Sequence, residues 1–193
     1  IYDDKNFKKQ LGSASRYWLH NSLISLNKSL NNKLHFSRGD TILIIEQLVK
    51  KYSIKNVYCE EVFLNEDLQL YKKLKEVLTN LEIELICYNC TLLWKPQLVL
   101  KKDGTPYKVF TPYYKKGCLE RMKPDLPLGQ PSRLNFLNTD DTTKINDLKL
   151  LDKYQWYSKM RGVWDISESA ASRKLDLFLD KAVFNYKKGR DFP

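Results

Sequence analysis

The chain has 193 residues, 42% hydrophobic and 29% charged, which suits a soluble globular protein of one domain and part of another. No run of eighteen apolar residues and no basic-apolar-small leader occurs, so nothing spans a membrane and a cytoplasmic protein is expected; the abrupt start at Ile1 without Met suggests a fragment. Net charge is +10 and uneven: residues 1–95 carry 14 Lys/Arg against 11 Asp/Glu, whereas residues 96–193 carry 19 against 12, a surface that attracts a polyanion or keeps the chain soluble.

Ile1-Tyr2 before Asp3-Asp4 reads as the tail of a strand entering a loop. From Ser13 to Leu30 the residues Leu19, Leu23, Leu26 and Leu30 recur at helical spacing, with Ser13 or Ser15 available as an N-cap. Arg16, Trp18 and His20 on this helix are functional candidates that packing explains as well. Leu34-His35-Phe36 predicts a short strand broken at Gly39. Asp40 or Thr41 then caps a helix with Ile42, Ile45, Val49 and Tyr52 on one face.

Asn56 to Cys59 predicts a parallel strand buried on both faces. The loop Glu60 to Asp67 follows its carboxyl end, where open α/β sheets bind ligands. A helix over 66–81 presents Tyr71, Leu74, Leu78 and Leu81, and Ile83 to Ile86 is the next strand. Strand and helix alternate, which predicts a parallel sheet with right-handed crossovers.

Asp103-Gly104 suits a tight hairpin turn, with Leu98 to Lys101 leading in, Tyr107 to Phe110 leading out as a buried aromatic edge, and Pro112 stopping the run. Residues 113–150, with Pro124, Pro127, Gly129 and Pro131 and then the polar 138–146 stretch, read as a long surface connection. A last helix from about Ser167 aligns Ala171, Leu175, Phe178, Ala182 and Tyr186, ending at Lys187-Lys188-Gly189.

Several chemistries find no support. There is no Gly-x-Gly-x-x-Gly, no Walker Gly-Lys-Ser/Thr and no Gly-x-Ser-x-Gly, and two histidines give hydrolysis no candidates. Cys59, Cys87, Cys90 and Cys118 do not make a disulfide framework in a chain this long. Cys87-Tyr88-Asn89-Cys90 has redox spacing, yet it ends an apolar strand instead of opening a helix, and zinc would need two more ligands. Glu60-Glu61 reads as a solvated loop mouth. If the protein is an enzyme, a cofactor must carry the hard step.

Four strings supply a resemblance. They are Gly12-Ser-Ala-Ser-Arg-Tyr-Trp-Leu-His-Asn-Ser-Leu23, the Arg38-Gly39-Asp40 turn, the junction from Leu92-Leu93-Trp94-Lys95-Pro96 through Gly104-Thr-Pro-Tyr-Lys-Val-Phe-Thr-Pro-Tyr113, and the close Tyr186 to Arg190-Asp-Phe-Pro193. In that order they resemble DNA photolyases and cryptochromes across essentially the whole chain. The resemblance implies a Rossmann-like parallel sheet flanked by helices over 1–95, its first strand missing, that binds an antenna chromophore. An interdomain connection over 96–150 and the first helices of an all-α, FAD-binding domain over 151–193 follow.

It also implies an antenna passing excitation to reduced FAD, which splits a pyrimidine dimer flipped out of damaged DNA, or alternatively a cryptochrome that signals without repair. Carried over by position, Tyr186 matches a flavin-contacting tyrosine and Arg190 a DNA-phosphate arginine. Asn65 and Glu66 match the pair that holds methenyltetrahydrofolate, Asn65 serving otherwise as a helix N-cap. Here Asp67-Leu68-Gln69-Leu70 stand where the family commonly has Arg-x-Arg-Asp, and the family's folate-holding histidine has no counterpart before Ser13. No catalytic residue and no metal ligand is implied, a monomer is expected, and the fragment alone is expected neither to hold FAD firmly nor to repair DNA.

Overall fold

The computed structural model describes residues 1–4, 11–120, 123–124, 126–138 and 143–191, and the backbone alone of Glu66. Two compact units emerge, one of Ile1–Ile44 with Phe136–Pro193 and one of Ile45–Asn135, the division falling within α2 (Thr41–Tyr52). Phe192 and Pro193 of the closing motif lie outside the described residues.

The 45–135 unit is built on a strand-helix-strand repeat. β1 (Asn56–Glu60) and β2 (Glu84–Tyr88) run parallel in the register Asn56 to Glu84 through Glu60 to Tyr88. Between them runs α3 (Asn65–Asn80), whose Leu74 and Leu78, one turn apart, are 7% and 0% exposed. Among the described residues this sheet has two strands, so the expectation that β1 is buried on both faces is corrected. Val57 and Cys59 are half-buried while Asn56, Tyr58 and Glu60 are exposed, the alternation of a strand covered on one side.

The Asp103-Gly104 turn forms, with Gly104 at φ +77°, Lys101 N–H donating to the Thr105 carbonyl at 2.9 Å and Asp103 accepting from Thr105 N–H at 3.0 Å. Its predicted hairpin does not extend beyond one antiparallel bridge, Leu100 to Pro106. Leu98 belongs to a 3-10 turn (Pro96–Leu98), and Phe110 begins a helical turn, α4 (Phe110–Pro112), continued by a π-helix over Tyr113–Leu119. Pro112 sits in a first turn, where its missing N–H would have had no partner anyway. Phe110, expected in a buried edge, is 73% exposed and stacks on Tyr114 at 5.7 Å. Gly117 is buried against Val99 and Tyr107: a Cβ there would lie 2.8 Å from Val99 Cγ1 and 3.1 Å from Tyr107 Cε2.

The other unit is organised on α1 (Ser13–Ser29). Its N-cap is Gly12, with extended backbone and no side-chain cap, and not Ser13 or Ser15. One cluster joins Tyr17, Tyr157 and Ile166, with the Tyr17 and Tyr157 rings stacked at 4.8 Å. Another joins Phe36, Leu148 and Leu150 to Leu19 and Leu23. The predicted strand at Leu34–Phe36 is replaced by a single parallel bridge from Tyr2 to Arg38, closed by Tyr2 N–H to the Ser37 carbonyl at 2.7 Å.

Asp40 caps α2 as predicted, accepting from Ile42 and Leu43 N–H at 3.0 and 3.1 Å. Asp3, 1% exposed, adds a second carboxylate there, accepting from Thr41 N–H at 2.9 Å.

α5 (Glu168–Asp180) starts as predicted, Ser167 capping Ala170 N–H at 3.1 Å. The single helix expected through Tyr186 is interrupted: a 3-10 turn (Ala182–Asn185) separates α5 from α6 (Tyr186–Gly189). Leu175 and Tyr186 on its apolar stripe are 55% and 52% exposed. Helices this short draw their stability from a packed face, and this stripe is open.

Candidate functional site

The carboxyl ends of β1 and β2 form the first candidate region. Glu61, just past β1, is held against β2 by its N–H donating to the Tyr88 carbonyl at 2.8 Å. Its Oε2 faces Lys95 Nζ at 2.9 Å, as an ion pair without hydrogen-bond alignment, the side chains 27% and 45% exposed. The expectation that Glu60-Glu61 is a solvated mouth therefore fails for Glu61: it is half-buried and paired with the lysine of the Leu92-Leu93-Trp94-Lys95-Pro96 string. A loop acid and a cation 34 residues on give no periodic signal, so sequence pattern could not pair them.

Asn65 opens α3 at the same end and is exposed; the N-cap is Leu64, so the alternative reading of Asn65 as a cap is corrected. The Glu66 side chain lies outside the described residues. Behind this mouth the in-register Cys59 and Cys87 sulfurs are 3.3 Å apart, and the Cys87 thiol donates to Tyr71 Oη at 3.7 Å. Burial, then the Cys87 contact, pushes the Cys59 thiol up to about 12. The Cys87 contact also raises the Tyr71 phenol above its ordinary value.

The unit built on α1 holds a cavity of about 1230 Å³ between α1 and residues 161–169, with Tyr17, Asn21, Lys28, Arg161 and Trp164 in its wall. Trp18 meets Trp164 edge to face at 5.6 Å, and Lys174 lies 4.5 Å over the Trp164 ring. Arg16 is a tie within this unit. Its guanidinium donates to the Leu150 carbonyl at 3.1 Å, the Leu11 carbonyl at 2.7 Å, Ser13 Oγ at 3.1 Å and Asp152 at 2.5 Å. Hydrogen bonds from Ser13 and Trp156, and then Arg16, hold the Asp152 carboxyl below the usual range. His20 is 7% exposed, its Nδ1 has no hydrogen-bond partner, and burial holds its imidazole below the ordinary value.

Tyr186 and Arg190 lie one helical turn apart on and just after α6, Arg190 N–H donating to the Tyr186 carbonyl at 2.9 Å. The Tyr186 ring meets Phe178 edge to face at 5.9 Å, and Arg190 Nε lies 3.8 Å from Asp191. No helix among the described residues is long and apolar enough to cross a membrane.

Fold and sites together define an α/β protein with a small Rossmann-like parallel sheet flanked by helices. The DNA photolyase family model matches residues 1–132, and the chain belongs to that family. It is 31% identical to the deoxyribodipyrimidine photo-lyase of Agrobacterium fabrum over 100% of this chain and 41% of that protein. It is 25% identical to Cryptochrome-1 of Arabidopsis thaliana over 93% of this chain and 27% of that protein. The structure of a bacterial class III photolyase from Agrobacterium tumefaciens superposes with a TM-score of 0.74 at 28% identity, covering 94% of this chain and 39% of that one. The chain thus spans about two fifths of the length of these photolyases.

Proposed function

We propose that the chain is the light-collecting α/β domain, residues 1–95, of a deoxyribodipyrimidine photo-lyase, with an interdomain connection over 96–150 and the beginning of the flavin-binding domain over 151–193. The observation that carries this reading is the likeness to the class III photolyase structure along 94% of the chain at 28% identity. Reduced FAD, when bound, supplies the electron that splits a cyclobutane pyrimidine dimer in damaged DNA.

The protein's own residues fit supporting roles. Tyr186 offers a half-exposed ring backed by Phe178, an apolar face with a polar tip that suits contact with an isoalloxazine or adenine edge. Arg190, 55% exposed and 3.8 Å from Asp191, keeps a planar fork for a DNA phosphate. Asn65 presents an amide beyond β1, suited to the donor and acceptor edge of a pterin such as methenyltetrahydrofolate.

The test uses the longer protein that contains this chain. Near-ultraviolet light should restore a dimer-containing oligonucleotide, and Arg190→Ala should weaken binding to all DNA sequences while lowering the salt slope by about one. Added methenyltetrahydrofolate should shift its absorption band in the wild type but not in Asn65→Ala. Photoreduction of flavin without any repair would sink the photolyase reading. It would favour a blue-light photoreceptor, the second reading, which rests on the identity to Cryptochrome-1 over 93% of the chain.

A further inference from the structure

We propose that Cys59 and Cys87 are a redox pair that peroxide closes into a disulfide across β1 and β2, locking the strand pair at whose mouth Asn65 stands. Three observations place the two sulfurs for that reaction. The residues are register partners in a parallel ladder, and their sulfurs are already 3.3 Å apart. Neighbouring strands lie about 4.8 Å apart, which falls inside the Cα separation of about 4.4–6.8 Å that disulfides span. Both residues are half-buried, so a small oxidant can reach them while a protein-sized one is held off.

Their surroundings set the order of events. Burial disfavours the Cys59 thiolate, and the Cys87 thiol touches the Tyr71 hydroxyl, so we assign Cys87 the first attack and Cys59 the resolving role. The Cys87 thiolate attacks one oxygen of hydrogen peroxide, the O–O bond breaks, hydroxide leaves, and Cys87 becomes a sulfenic acid. The Cys59 sulfur then attacks the Cys87 sulfur, the S–O bond breaks, and the Cys59 proton leaves with the hydroxyl as water. Two thiols are oxidised, one peroxide is reduced, and with the first hydroxide reprotonated two waters form. The bond encloses residues 59–87, and therefore all of α3, in one covalent loop.

Cys90 and Cys118 serve as internal controls. Cys90 is exposed, its sulfur 3.5 Å from the Tyr88 carbonyl oxygen, and Cys118 is 2% exposed. The 193-residue chain is treated with hydrogen peroxide at neutral pH, digested and mapped by mass spectrometry. The expected result is a loss of about 2 Da carried by one linked peptide pair holding Cys59 and Cys87, reversed by dithiothreitol. The same treatment in guanidinium should scatter the linkages, because only the folded ladder selects this pair. In Cys59→Ser, Cys87 should accumulate as a sulfenic acid that dimedone traps. A Cys87 to Cys90 linkage in the folded wild type, or oxidised but unlinked Cys59 and Cys87, would overturn the proposal; neither readout depends on photolyase activity or on any variant folding.

Discussion

Removing the Arg16 guanidinium with Arg16→Ala tests whether α1 is held by packing alone or by this polar tie. Of its four acceptors, the Leu11 carbonyl and Ser13 Oγ lie in exposed surroundings, where water replaces the arginine at little cost. The Asp152 pair is also discounted, since its side chains are 23% and 32% exposed. The Leu150 carbonyl is different: that residue is 2% exposed and sits in the Phe36 and Leu148 cluster. Losing a charge-assisted bond to a buried acceptor costs about 1.5–3 kcal/mol. With a urea slope of about 2 kcal/mol per M, a loss of about 2 kcal/mol lowers the unfolding midpoint by about 1 M. Arg16→Lys should fall between, because one ammonium cannot hold Leu150 and Asp152 in the geometry of a planar fork. Tryptophan fluorescence is the suitable probe, since Trp18, Trp156 and Trp164 all report on the unit that Arg16 ties. A midpoint within about 0.25 M of wild type would refute the argument, because about 0.5 kcal/mol is what an ordinary surface substitution costs.

Gly117→Ala should destabilise the 45–135 unit: overpacking against Val99 and Tyr107 costs about 1–3 kcal/mol and reduced chain entropy returns about 0.4–1 kcal/mol. Circular dichroism melting checks it, and a raised midpoint contradicts the close approach. For His20, burial lowers the folded pKa below the unfolded value of about 6.5, so the folded state binds fewer protons and stability is full above that value, declining as pH falls toward the folded pKa. His20→Phe should flatten the urea midpoint measured from pH 7.5 down to 5.5; equal slopes in both proteins would show that the imidazole is not titrating in this window. The 193-residue chain alone should purify without stoichiometric flavin, because Tyr186 stands half-exposed on a four-residue helix; tight flavin absorbance at one equivalent would contradict this.

What the sequence made legible was what local chemistry decides. Helical periodicity located α1, α2, α3 and the start of α5, and the Asp40 and Ser167 caps were readable because a short side-chain acceptor bonds an N–H two or three residues away. Helix ends were less legible. α1, α2 and α3 close through left-handed Asn31, Ser53 and Glu82, at φ 55°, 50° and 57°. In each case the next residue's N–H reaches back five positions, Asn32 to Asn27, Ile54 to Val49 and Ile83 to Leu78. This is the closure that glycine usually signals and asparagine signals less often; Asn31 fits that pattern, whereas Ser53 and Glu82 carry no such signal. The hairpin and the long last helix failed for a common reason: a turn or an apolar stripe sets what is locally possible, while the extent of a strand or helix depends on a partner for its face.

The same distinction separates the candidate site residues. Asn65, Tyr186 and Arg190 were reached through motifs, and each stands exposed at a helix end, Tyr186 against Phe178 and Arg190 beside Asp191. Glu61 and Cys59 carried no motif, and the strings that hold Lys95 and Cys87 gave no sign of their partners, yet the folded β1-α3-β2 repeat and the segment after it bring Glu61 to Lys95 and Cys59 to Cys87. Parallel pairing places residue 59 beside residue 87 only because the crossover through α3 has a definite length and register, and neither is written at the cysteines themselves. Binding of the proposed antenna should therefore be sensitive to the strand register as well as to Asn65. A substitution that shifts β2 by one residue would separate the two sulfurs and the Glu61 anchor on Tyr88 together, whereas Asn65→Ala would leave both in place.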